Sequence, residues 1–115
     1  MSQLSDLTFL RTFTAGEPAK MTKYINMFLS GAPQILSQIR QQVDAADWKA
    51  LKTSAHSLKT QLKYMGVSSA VDLAFSIEQQ SGDLKDIEQI PGLVGQLEEK
   101  TQIAIAELRD ELTKL

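Results

Sequence analysis

The sequence has no cysteine, a single histidine, three prolines and only 6% aromatic residues. Without cysteine there are no disulfide frameworks, thiolate zinc sites or cysteine nucleophiles, and the composition suits a reducing compartment. With one histidine, a zinc site would need carboxylates beside it, and no nucleophile elbow accompanies it to make a hydrolase triad with Ser54, Ser57 or Asp47. An excess of positive charge is also missing. Twelve basic residues against fourteen acidic ones leave a net charge of −2, which argues against a general nucleic-acid binder. No apolar run approaches the roughly 18 residues of a membrane span, and no basic stretch followed by an apolar one opens the chain. A cytoplasmic protein with no membrane partner is expected. Alternating β-branched runs are absent too, so no strand is needed.

What the sequence does have is apolar residues at helical spacing almost throughout. At 115 residues, 43% of them apolar, residues 1–115 are expected to form one domain with one core. A first helix carries Leu4, Leu7, Leu10 and Phe13 and stops near Gly16. A second starts at Pro18 with Met21, Tyr24, Ile25 and Phe28, and Ser30-Gly31-Ala32-Pro33 is expected to interrupt it. Pro33 then opens a third helix with Leu36, Ile39 and Val43. Asp47 caps a fourth that runs to Gly66, and Ser68 caps a fifth with Ala70, Val71, Ala74 and Ile77. After Ser81-Gly82-Asp83 a short segment leads to Ile90, and Pro91 or Gly92 opens the last helix through Leu97, Ala104, Leu108 and Leu112. The expected fold is all-α: an antiparallel four-helix bundle with one or two accessory N-terminal helices. Glu98, Glu99, Glu107, Asp110 and Glu111 read as an ordinary solvated acidic face.

The segment DWKALKTSAHSLKTQLKYMG, residues 47–66, has two unlike sides. Trp48, Leu51, Ala55, Leu58, Leu62 and Met65 follow steps of three and four and make a core stripe. At about 100° per residue, Lys52, Lys59, Thr60 and Lys63 all fall within about 60° of His56, with Lys49 two turns below. The histidine therefore stands in a row of lysines turned away from the core. A row of this kind is also what a plain solvated face shows. Lysines at i, i+4 repel by a few tenths of a kcal/mol, however, so the row asks for an anion. The cations also favour the neutral, nucleophilic form of the ring over the imidazolium.

His56-Ser57-Leu58-Lys59, with alanine before it and Gly66 ten positions after the histidine, resembles the H-x-x-K signature of the histidine phosphotransfer domains of bacterial two-component phosphorelays. Gly16-Glu17-Pro18, Ala32-Pro33, Asp47-Trp48 and Met65-Gly66-Val67 are similar to that family's other landmarks, so the resemblance runs over nearly the whole chain. One residue departs from it. The family usually has glycine after the motif lysine, and here Thr60 stands there, one helical turn from His56.

The resemblance implies that His56 is a phosphoacceptor, reacting through the outward Nε2 and relaying a phosphoryl group between receiver-domain aspartates. Such a transfer depends on positioning and charge neutralisation. Lys59 is the best candidate to neutralise phosphoryl oxygens, with Lys52 and Lys63 assisting or steering, and Thr60 either crowding the approach or bonding the ring or the phosphoryl group. The implied partners are response-regulator receiver domains and a hybrid histidine kinase. No cofactor is expected on this chain, and Mg²⁺ is expected on the receiver. The absence of a phosphate-cradling glycine loop implies no autokinase activity. A monomer is expected. The alternative is a non-phosphorylated module of the same fold that binds receiver or kinase domains.

Overall fold

The computed structural model describes residues 3–115. Its helices are α1 (Thr8–Phe13), α2 (Pro18–Asp44), α3 (Trp48–Tyr64), α4 (Ser68–Asp83) and α5 (Ile90–Leu112), with a 3-10 turn at Ile87–Gln89 leading into α5. No strand occurs among the described residues. Each of α2 to α5 packs on its neighbour in sequence and α5 closes back onto α2, which makes the expected bundle. α1 is its one accessory helix.

The expected break at residues 30–33 does not occur. α2 is a single helix of 27 residues with Pro33 inside it, about 40 Å long at 1.5 Å per residue, close to the 42 Å long axis of the molecule. The reason is visible in its buried face. Met21, Ile25, Phe28, Ala32, Leu36, Ile39 and Val43 form one unbroken stripe, and ending the helix at Pro33 would unpack both halves. Pro33 itself is exposed, and the one intrahelical bond it forgoes is that to the Leu29 carbonyl, four residues back. An interior proline costs about 3 kcal/mol, less than the burial of two or three large apolar side chains at about 1.5–3 kcal/mol each.

α3 forms as its sequence predicts. The Asp47 side chain accepts from the Ala50 amide at 3.2 Å, satisfying one of the free donors of the first turn. Leu51, Ala55, Leu58 and Leu62 are fully buried and Met65 nearly so. At its end Gly66 adopts φ +66°. The Val67 amide donates to the Leu62 carbonyl and the Gly66 amide to the Lys63 carbonyl, the paired bonds of a Schellman stop. α4 follows at once, with Val67 and not Ser68 in the capping position.

Two contacts tie the N-terminal segment to the bundle. The Asp6 amide donates to the Met65 carbonyl at 3.1 Å. The Glu107 carboxylate accepts from the amides of Leu4 and Ser5 and from the Ser5 hydroxyl, at 2.7 to 2.9 Å. Glu107 therefore does not belong to a plain solvated face. Burial raises its pKa, and these three bonds more than offset that, holding it below the ordinary 4.5. Glu98 is likewise engaged, accepting from Arg40 of α2 at 2.6 Å. The stripe predicted for α1 holds for Leu7 and Leu10, which are buried, but Phe13 is 53% exposed. α1 ends after six residues, and Phe13 turns instead toward other rings.

Candidate functional site

The outer face of α3 and the adjoining edge of α4 carry the candidate chemistry. His56 projects from α3 with its side chain 60% exposed, as expected from its place opposite the core stripe. The hairpin made by the short turn at residues 65–67 lays α4 alongside. The buried stripe of α4, Ala70, Ala74, Ile77 and Ser81, brings the next residue, Glu78, up against the same face.

Glu78 uses its two oxygens separately. Oε2 lies 2.8 Å from His56 Nδ1, and Oε1 accepts from Lys59 Nζ at 2.6 Å. Burial pushes the Glu78 carboxyl up, but the bonds from Lys59 and His56 outweigh it and hold the group below its usual value. An ionised carboxylate only accepts hydrogen bonds, so Nδ1 is the ring nitrogen that carries the proton. In the neutral ring the lone pair is then on Nε2.

Lys59 is not the free cation that the sequence suggests. Its side chain is 12% exposed, paired with Glu78, and its Nζ lies 5.2 Å from the centroid of the Phe75 ring. Glu78 supplies the anion that the lysine row calls for. Lys52 and Lys63 are exposed and form no ion pair among the described residues. The stem of Lys52 lies along Gly82 of α4, where an added Cβ would sit 3.0 Å from Lys52 Cδ. Thr60 donates its hydroxyl to the His56 carbonyl at 3.2 Å, so the hydroxyl is spent on the backbone and not on the imidazole.

On the other flank α1 brings rings together. Phe9 packs against Tyr64 with centroids 5.6 Å apart, and Phe13 against Tyr24 at 5.4 Å and Tyr64 at 6.0 Å. Phe9 and Phe13 are each more than half exposed. A recess lined by Phe9, Thr60, Lys63 and Tyr64 joins this cluster to the His56 face. Periodicity within α3 gives no sign of Glu78 or of the phenylalanines, because each comes from another helix. Among the described residues no three His, Asp or Glu side chains gather as a metal site, and no helix is long and apolar enough to cross a membrane.

Comparison with known proteins adds two findings. Residues 23–115 match the family model described as Hpt domain. The fold matches the crystal structure of histidine-containing phosphotransfer protein B (HptB) from Pseudomonas aeruginosa PAO1, with a TM-score of 0.89 and 18% identity over 100% of this chain and 99% of that one. No curated protein matches the sequence.

Proposed function

Because the chain belongs to the Hpt domain family, the phosphorelay carriers, we propose that His56 is its phosphoacceptor, taking a phosphoryl group on Nε2 from a receiver-domain aspartate and passing it to another. The observation that carries this is the posture of the ring. The only histidine in the sequence has its side chain 60% exposed with Nδ1 tied to Glu78 at 2.8 Å, which leaves Nε2 as the nitrogen with a free lone pair. The Nε2 lone pair forms a bond to phosphorus as the bond from phosphorus to the aspartyl oxygen breaks, and the receiver recovers its carboxylate. Lys63 and Lys52 are the cations free to meet phosphoryl oxygens or to steer toward the acidic pocket of a receiver. The receiver brings the Mg²⁺, and the working unit is a cytoplasmic monomer.

Hpt domains generally interact with receiver domains and histidine kinases. For this chain we place the docking face over His56 and the aromatic flank together. A standard interface covers about 800 Å² per partner, a disc of roughly 16 Å radius. Tyr64 lies eight residues along α3 from His56, about 12 Å. A receiver centred on His56 therefore covers the recess at Tyr64 and the rings of α1.

The test is phosphoryl transfer from a phosphorylated receiver domain to the wild type and to His56→Gln. An acid-labile, base-stable label on the wild type alone is the expected result. Binding without label would favour the non-phosphorylated module.

A further inference from the structure

We infer that Glu107 of α5 is a positioning residue for the receiver-docking face: by clasping the backbone of residues 4 and 5 it sets the line of α1, and with it the places of Phe9 and Phe13. This rests on the reading that a receiver covers the aromatic flank. α3, which bears His56 and Tyr64, packs on α2 and α4, while α5 packs on α4 and α2. Glu107 therefore stands on the helix diagonal to the one that carries the acceptor, and it lines neither of the two recesses that the rings border.

The N-terminal segment is a strap across one end of the bundle. It begins on α5, where Glu107 Oε2 accepts from the Leu4 amide at 2.9 Å and Oε1 from the Ser5 amide at 2.8 Å and the Ser5 hydroxyl at 2.7 Å. It crosses to the end of α3, where the Asp6 amide meets the Met65 carbonyl. α1 then runs beside Tyr64 and Tyr24 before the chain enters α2 at Pro18. The Asp6 carboxylate accepts from the Thr8 amide at 2.9 Å, so α1 starts directly from the clasped residues. Glu107 forms no ion pair among the described residues, and its charge is spent on the strap, where bonds to an ionised acceptor are the stronger kind.

The other forces on α1 are weakly directional. At six residues it is too short to stand as a helix by itself. Leu7 and Leu10 are buried, but apolar burial depends on area and not on angle, so these two side chains leave a short helix free to roll. Phe9 and Phe13 lie on its outer side, each more than half exposed, with centroids 6.1 Å apart. Their positions follow from the line of the helix and not from a socket around them. Hydrogen bonds do fix direction. Four of them hold the start of the strap, three to the one carboxylate, and the covalent run into α2 holds its other end. Without the clasp only the bond from Asp6 to Met65 remains at the start, and the two rings that meet the receiver lose their fixed places.

The test is receiver binding and amide exchange on the full chain, with a receiver domain that binds the wild type as the probe, under conditions where every variant is folded. Glutamine at position 107 keeps one acceptor oxygen and sets an NH₂ group against a donor, so it loosens the clasp. Glu107→Gln is expected to weaken receiver binding about 3- to 10-fold, part of what losing an aromatic anchor costs. The Arg11 and Thr14 amides, bonded to the Leu7 and Leu10 carbonyls, should exchange faster while the amides of α3 keep their protection. Phosphoramidate, a small donor that needs no receiver, should phosphorylate His56 at an unchanged rate. In a Phe9→Ser/Phe13→Ser background Glu107→Gln should change binding by less than about 2-fold, because the residue acts through those rings. Glu107→Ala, which removes all three bonds, should widen the effects; should it not fold, Glu107→Gln carries the comparison alone. Unchanged receiver binding in the folded Glu107 variants while Phe9→Ser weakens it would overturn the inference, as would an equal loss in the background without the rings. If Phe9→Ser leaves binding unchanged as well, the placing of the receiver on the aromatic flank fails and the inference falls with it. Binding that behaves as expected without any phosphoryl transfer would support the inference and count against the carrier reading.

Discussion

Gly66 and Asp6 compete for one space. A Cβ at position 66 would lie 2.8 Å from the Asp6 carbonyl carbon and 2.9 Å from its nitrogen, and would overlap its carbonyl oxygen. The turn that ends α3 is thus sealed by the N-terminal segment, and the glycine is required twice over, for the overlap and for its φ of +66°.

Gly66→Ala is accordingly expected to cost about 2–5 kcal/mol, from roughly 1–2 for a left-handed alanine and 1–3 for the overpacking. Denaturant unfolding measures it. A loss under about 1 kcal/mol would mean that the segment moves aside and is not held by the Asp6–Met65 and Glu107 bonds.

His56→Gln should leave stability within about 1 kcal/mol, since an exposed side chain is exchanged. Leu58→Ala, two residues on but fully buried, should cost about 2–5 kcal/mol. Thermal or urea unfolding of the two variants side by side checks the assignment of faces on α3.

Phe9 lines the recess shared with Thr60 and Lys63. Phe9→Ser is expected to raise the KM for a phosphorylated receiver by about 5- to 30-fold, the effect of losing an aromatic anchor worth roughly 1–2 kcal/mol. Phosphorylation by phosphoramidate should be unaffected. An unchanged KM would place the receiver off the aromatic flank.

Stability should fall in acid partly through Glu107. Its pKa in the folded protein is held below the ordinary 4.5, so the unfolded chain takes up the proton first. The contribution of Glu107 is complete above pH 4.5 and is lost as the pH falls through the lower folded value. Glu107→Gln should be less stable than wild type at pH 7, and the difference should shrink below pH 4. A gap that stays constant across that range would show that the charge on Glu107 is immaterial.

The expected and observed structures part company at definite places. Asp47 as a cap, Gly66 as a stop and the placing of His56 opposite Leu58 and Leu62 were legible because each depends on one helical segment and its ends. Pro33 was misleading for the opposite reason. A local rule ends a helix there, while the stripe from Met21 to Val43 has to pack as one surface. Thr60 looked like a neighbour of the imidazole, yet a mid-helix threonine hydroxyl has a carbonyl available one turn back, and Thr60 bonds to the His56 carbonyl.

From the sequence by itself came the all-helical fold, the solvent side of α3 and the single histidine standing on it, because the 3.6-residue period decides which side chains share a face of one helix. Only the tertiary structure decided what stands opposite that face. Glu78 reaches His56 across 22 positions, and Glu107 reaches Leu4 across 103. Such contacts depend on how separate helices are set against each other, through packed surfaces many residues long, and no spacing within a single helix encodes them. The ring's exposure was therefore written locally, while its protonated nitrogen was settled by the meeting of α3 with α4.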